Sequence, residues 1–290
     1  MIDTPPQHQH PDATLPIGVF DSGVGGLTVL AALQKRLPHE DYFFLGDTAR
    51  LPYGTKSSST IIRYSVQATE KLVERHIKLL VVACNTATAA ALPVLQKMYS
   101  PLPVIGVVEP GARAACNALK DKPGGNIVVM ATESTIRGSA YGKAIRSIMP
   151  EVGVTGIPCS LFVSLAEEGW MDGEIAEAIA RRYLAPVLGN KEGRPDCIVL
   201  GCTHFPPLAP AIANVAGKDV IMVDSAATTA EAVEQKLETL RLLHPKRAGK
   251  EGNSGKMRFL TTDAPERFAR VGSLFMGYPI KVEDLELVTL

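Results

Sequence analysis

Short, nearly unbroken apolar runs recur along the chain, each closing on a small or polar residue and followed by a stretch with helical spacing. IGVF at 17–20, YFFLG at 42–46, LLVVA at 79–83, VIGVV at 104–108, IVVMA at 127–131, CIVLG at 197–201 and VIMV at 220–223 read as strands. Runs without alternation are apolar on both faces, as parallel strands between helical layers must be. Between them, segment 60–76 sets Ile61, Tyr64, Ser65, Ala68 and Leu72 on one helical face. Segment 174–188 does the same with Ile175, Ile179, Tyr183 and Val187, and segment 226–243 with Ala230, Val233, Leu237 and Leu240. The alternation predicts an α/β architecture on parallel sheets. The Gly- and Lys-rich stretch 244–256 reads as a solvated loop leading to a final strand, MRFLT at 257–261.

The chain also matches itself. VVACNTATAAALPVL at 81–95 lies over IVLGCTHFPPLAPAI at 198–212, pairing Cys84 with Cys202. GVFDSGVGGL at 18–27 lies over 128–141, pairing Asp21 with Thr132, and FLGDTARLPYG at 44–54 lies over 159–169, pairing Asp47 with Glu167. Three matches in one order, at offsets of 111, 120 and 118 residues, predict two related α/β halves.

Composition narrows the function. The 290 residues suffice for two domains, and a 46% hydrophobic share is ample for a core. Thirty basic residues balance thirty acidic ones. A binder of duplex DNA or anionic membrane needs an excess of Lys and Arg, so neither partner is expected. Five cysteines without a CxxC pair argue against a disulfide framework and for reduced thiols in a cytoplasm. Residues 1–15 read as a flexible Pro-, His- and Gln-rich tail, with His8 and His10 as part of it and not as metal ligands. They lack the basic and apolar regions of a signal peptide, and no apolar run is long enough for a membrane helix.

Two glycine clusters fail as nucleotide motifs. A dinucleotide fingerprint from Gly23 needs glycine where Thr28 stands, and Gly138 to Lys143 has one residue too few for a P-loop. The turn after Asp21-Ser22 could instead hold a carboxylate on its free N–H groups. Cys84 and Cys202 carry the sharper signal. Each is expected where a buried strand ends and a helix begins, where orphan N–H groups favour a thiolate at neutral pH. Two such thiols at matching turns of two halves would face each other, as a reaction with a base on each face of one carbon requires. Cys116, Cys159 and Cys197 read as buried apolar residues. Zinc on Cys197, Cys202 and His204 fails because the cysteines bracket a strand and stand about 17 Å apart. A Cys202–His204 hydrolase pair would leave the matched Cys84 unexplained.

FDSGVGGLTVL, GDTARLPYG, VVACNTATAAALP and LGCTHFPPL, in that order, resemble the signature blocks of the glutamate racemases of the aspartate/glutamate racemase superfamily. The resemblance implies two parallel-sheet α/β domains related by pseudo-twofold symmetry, one inserted in the other, with the active site in the cleft between them. It implies residues 16–108 with 223–290 as one domain and 109–222 as the other. It also implies Cys84 and Cys202 as the two acid/base groups, without a cofactor or a metal, acting on glutamate to supply D-glutamate for peptidoglycan synthesis. Asp21 and Ser22 match positions that hold the substrate ammonium and assist the first cysteine, and His204 the residue that assists the second. Asp47 and Glu167, with Glu168 beside it as the alternative, match further carboxylates. Tyr53, Gly54, Asn85, Thr86 and Thr203 match substrate contacts, while Thr132 and Thr135 add hydroxyls from a turn that departs from the family's usual pattern. Homodimers are common among such proteins, and a peptidoglycan precursor activates some that carry N-terminal extensions. An aspartate racemase is the nearest rival reading, and a binding protein that no longer uses its cysteines is the rival of another class.

Overall fold

The computed structural model describes residues 12–122, 124–189, 193–245 and 254–290. His8, His10, most of the expected tail and residues 246–253 of the expected loop lie outside the described residues. Residues 12–15 of that tail form a turn, with the Asp12 carboxylate accepting from Thr14 and the Ala13 carbonyl accepting from Lys78 Nζ at 2.6 Å.

The first half begins β1 (Ile17–Asp21), α1 (Leu27–Arg36), β2 (Tyr42–Gly46), α2 (Ser58–Val73), β3 (Leu79–Val82), α3 (Asn85–Met98) and β4 (Val104–Gly106). The chain then enters α4 (Val108–Ala118), β5 (Asn126–Ala131), α5 (Glu133–Gly138), α6 (Ala140–Ile148) and β6 (Gly153–Pro158). It continues through α7 (Leu161–Glu167), α8 (Gly173–Leu188), β7 (Cys197–Gly201), α9 (Ala209–Ala216) and β8 (Ile221–Asp224). The return runs through α10 (Ser225–Leu240), β9 (Met257–Thr261), α11 (Pro265–Met276) and β10 (Leu285–Leu287).

Two all-parallel sheets result, in the orders β10-β9-β2-β1-β3-β4 and β6-β5-β7-β8. The run β2-β1-β3-β4 is repeated by β6-β5-β7-β8. β1 therefore corresponds to β5 and β3 to β7, which makes Asp21 and Thr132, and Cys84 and Cys202, equivalent in topology. The 159–169 segment paired by sequence with β2 is helix α7, and the true counterpart of β2 is β6. That strand escapes the hydrophobic pattern because GVTGIP is a largely exposed edge carrying two glycines. β10 escapes it as a three-residue edge, so MRFLT is not the last strand. VIGVV stops being strand at Gly106, and Val108 already opens α4.

The central strands are buried throughout, which is why they read as unbroken apolar runs. α2 buries Ile61, Ser65, Ala68, Thr69 and Leu72, close to the expected face. α8 is turned by one residue: Ala176, Ala180, Leu184 and Val187 are buried, while Ile175 stands 55% exposed. Alanines on that face allow α8 to approach α9 closely. α10 lies against both α1 and α4, and one apolar core runs from Val19 and Leu30 of the first half to Ile198 and Leu200 of the second. All of β8 pairs with β7, although the expected boundary at 222/223 would cut it.

Candidate active site

In parallel α/β sheets, binding sites form beyond the carboxyl ends of the strands. Here both sheets bring those ends to one cleft. β1 ends in Asp21, β3 is followed by Cys84, β5 by Thr132 and β7 by Cys202. Asp21 is buried, with Oδ2 accepting from Gly23 N at 2.9 Å and Oδ1 left without a partner. Gly26 is required beside it, since a Cβ there would lie 2.5 Å from the Asp21 Cβ. Cys84 caps α3, its Sγ accepting from Ala87 N at 3.4 Å and donating to Ser22 Oγ at 3.3 Å.

Asp47 is also buried, but its carboxylate is occupied. Oδ2 accepts from Arg50 Nε at 2.7 Å and Tyr53 O–H at 2.5 Å, and Oδ1 from Thr262 Oγ1 at 3.0 Å. It therefore fixes Tyr53 and presents no free oxygen to a thiol.

The opposite wall is a chain of charge. Cys202 Sγ lies 3.8 Å from His204 Nδ1, and His204 Nε2 lies 3.0 Å from Glu167 Oε1. Glu167, and not Glu168, makes this bond, and its Oε2 accepts from Arg267 of α11. Cys202 does not cap a helix as expected. A turn and a short 3-10 segment, Pro206–Leu208, separate it from α9, because the prolines there delay a regular helix. Its charged neighbour is a side chain instead.

Contacts between the halves close the cleft. Gly25 packs on the opposite turn so tightly that a Cβ would stand 2.4 Å from Thr203 Oγ1 and His204 Nδ1. Thr28 Oγ1 donates to the Thr203 carbonyl at 2.8 Å. Thr86, Thr132 and Thr135 form a triangle of hydroxyls with sides of 3.0–3.2 Å, and Gly54 sits against Thr132. Tyr141 O–H donates to Asn85 Oδ1 at 2.7 Å, leaving the buried Asn85 Nδ2 unpaired. Cys84 and Cys202 are each 6% exposed, so the cleft is nearly sealed.

Burial, with Asp21 and Cys202 adding to it, pushes the Cys84 thiol up to about 12, despite help to the anion from Ser22 and the Ala87 N–H. The expected thiolate at neutral pH is thus absent here: dehydration outweighs the helix N-terminus. Burial also raises Asp21 against its backbone N–H bonds and His204. For His204, burial opposes the cation, yet its bonds to Cys202 and Glu167 win and raise it to about 10. Burial likewise opposes the Glu167 anion, but His204 and Arg267 hold its carboxyl below the usual range. At neutral pH the wall opposite Cys84 therefore carries an imidazolium beside Cys202.

The structure brings Asp21, Ser22, Asn85, Thr86, Thr132, Thr135, Thr203, His204 and Glu167 to the cleft with the two cysteines. Sequence reasoning missed Tyr141 and Arg267. Tyr141 sits in the failed P-loop motif, and no local pattern links Arg267 to Glu167 across 100 residues. Among the described residues, no group of three or more His, Cys, Asp or Glu side chains is arranged to hold a metal.

The chain matches the Asp/Glu/Hydantoin racemase family over residues 27–233. Glutamate racemase of Geobacter metallireducens is 51% identical over 274 residues, covering 94% of this chain and 96% of that protein. The crystal structure of glutamate racemase from Francisella tularensis in complex with D-glutamate superposes with a TM-score of 0.84 at 35% identity, covering 96% of this chain and 98% of that one. Escherichia coli glutamate racemase in complex with L-glutamate and the activator UDP-MurNAc-Ala gives 0.71 at 30% identity, covering 90% and 95%.

Proposed function

Because the chain belongs to the Asp/Glu/Hydantoin racemase family, we propose that it is an isomerase interconverting L- and D-glutamate by proton transfer at Cα, with Cys84 and Cys202 as the two acid/base groups. The observation that carries this reading is the pair of free, buried cysteines at equivalent strand ends of a cleft that also holds unpaired Asp21 Oδ1 and Asn85 Nδ2. An unsatisfied buried acceptor and donor each cost free energy that a ligand recovers. Asp21 Oδ1 suits the substrate ammonium, and Asn85 Nδ2 suits a carboxylate. That similar proteins have been solved with D-glutamate and with L-glutamate supports glutamate as the ligand.

In one direction the Cys202 thiolate, paired with the His204 imidazolium, removes the Cα proton and becomes a thiol. The Cys84 thiol delivers its proton to the opposite face and becomes a thiolate. One S–H bond forms and one breaks, and the product is the other enantiomer; the reverse reaction exchanges the roles. Burial is the main cause of the raised Cys84 thiol, and an ammonium on Asp21 cancels the carboxylate charge that adds to it. No cofactor spreads the carbanion charge in this reading; fixed N–H and O–H donors at strand ends and helix starts stabilise it. Ser22, Tyr53, Gly54, Thr86, Thr132, Thr135 and Thr203 line the substrate, and Asp47 holds Tyr53.

The reaction supplies D-glutamate for peptidoglycan synthesis in the cytoplasm, with activation by a peptidoglycan precursor and a homodimer as further parts of the proposal. We divide the chain into residues 16–108 with 225–290, and an inserted unit of 109–224. Incubation of each glutamate enantiomer in deuterium oxide tests the activity. Deuterium at Cα with inversion is expected; exchange into aspartate but not glutamate would overturn the substrate assignment, and no exchange at all would overturn the enzyme reading.

A further inference from the structure

Resting on the racemase reading, we propose that Arg267 is a positioning residue that makes the Cys202 acid/base group competent only when the two halves are together. Arg267 belongs to α11, which packs on α1 in the half built on β1, whereas Glu167 ends α7 in the half built on β5. The guanidinium donates to Glu167 Oε2, the other oxygen meets His204 Nε2 at 3.0 Å, and His204 Nδ1 faces Cys202 Sγ at 3.8 Å. The same helix grips the site twice more. Arg270 Nη1 donates to the Glu167 carbonyl at 3.5 Å, and the Phe275 ring packs edge-on to the His204 ring with centroids 5.5 Å apart.

Packing alone does not account for Arg267. Its side chain is 50% exposed, and Phe268, Val271 and Phe275 of the same helix fill the core. What it adds is a cation on a buried carboxylate. The groups facing His204 are Cys202, Glu167 and, from β1, Asp21; Arg267 and Arg270 face Glu167. Burial works against the Glu167 anion, and Arg267 joins His204 in holding it ionised. Without Arg267, Glu167 protonates at higher pH, releases its grip on the imidazolium, and Cys202 loses an aligned counter-ion. Since the arginine comes from the other half, opening the cleft would do the same.

The test compares R267M and R267K with the wild-type enzyme, using both α-deuterated glutamate enantiomers. The enantiomers have equal free energy, so kcat/KM in R267M must fall by one factor in both directions, here about tenfold. The isotope effect separates the two proton transfers. In R267M it should rise for the enantiomer whose α-hydrogen faces Cys202 and fall for the other, and the acid-side loss of activity should move to higher pH. R267K, which keeps the charge, should restore the acid-side profile. Wild-type isotope effects in R267M, whether or not activity drops, would overturn the proposal, because a merely structural role slows both transfers alike. Absence of racemisation by the wild-type enzyme would instead defeat the underlying reading.

Discussion

Cys84 and Cys202 share a chemical type and topological position but not an environment. Cys84 is enclosed beside Asp21, while Cys202 stands next to an imidazolium. Replacing either with serine should lower kcat by about 10²–10⁴-fold, the usual worth of a positioned acid/base group, and full activity in either variant would contradict two-thiol catalysis. His204 offers a check on the electrostatics. Its pKa is raised in the folded state to about 10, so its charge favours folding fully below about 6.5 and that contribution is lost as pH rises through about 10. NMR of ring-labelled histidine should find His204 still protonated at about pH 8; a midpoint near the ordinary histidine value would refute the Cys202–His204–Glu167 arrangement. Residue identity and spacing made the cysteines legible, and the resemblance to a known family pointed to Asp21 and His204. The charge state of Cys84 was not legible, because it depends on dehydration by residues distant in the chain.

Among the elements, the strand-to-helix turns decide the site. The β1–α1 turn approaches the β7 turn so closely that Gly25 has no room for a side chain. Gly25→Ala would push against His204, which Glu167 holds, so the turn or the imidazole must shift. A kcat loss of about tenfold or more is expected, since small misplacements of positioned groups are costly, with a smaller effect on the unfolding midpoint. Unchanged kinetics would show that the two turns are not so closely apposed. Buried strands and most amphipathic helices were readable from hydrophobic period. The edge strands β6 and β10 and the buried face of α8 were not, because exposed edges and Ala-rich faces give little apolar signal.

The whole molecule is tied together away from the cleft as well. Lys78 is fully buried, its ammonium bridging Glu40 at 2.5 Å and the carbonyls of Ala13 and Leu242, while Glu40 accepts from His244 N. This joins the entry to β1, the start of β3 and the segment after α10. Lys78→Met leaves Glu40 buried without its cation, so a loss of about 3–5 kcal/mol in urea unfolding is expected. An unchanged midpoint would mean that the pair contributes no net stability.

By itself the sequence determined that parallel strands alternate with helices, that the chain carries two related halves, and that two cysteines end equivalent strands. These properties are local, set by side-chain period and by residue type at a turn. Tertiary structure alone decided that Cys84 rests as a thiol, that an imidazolium stands beside Cys202, that Asp47 is engaged by Tyr53 and Arg50, and that Arg267 reaches Glu167 from the other half. Each of these depends on burial and on charges brought together from distant segments. Such energies vary with distance and dehydration in the folded molecule, and neither is written in the spacing of residues along the chain.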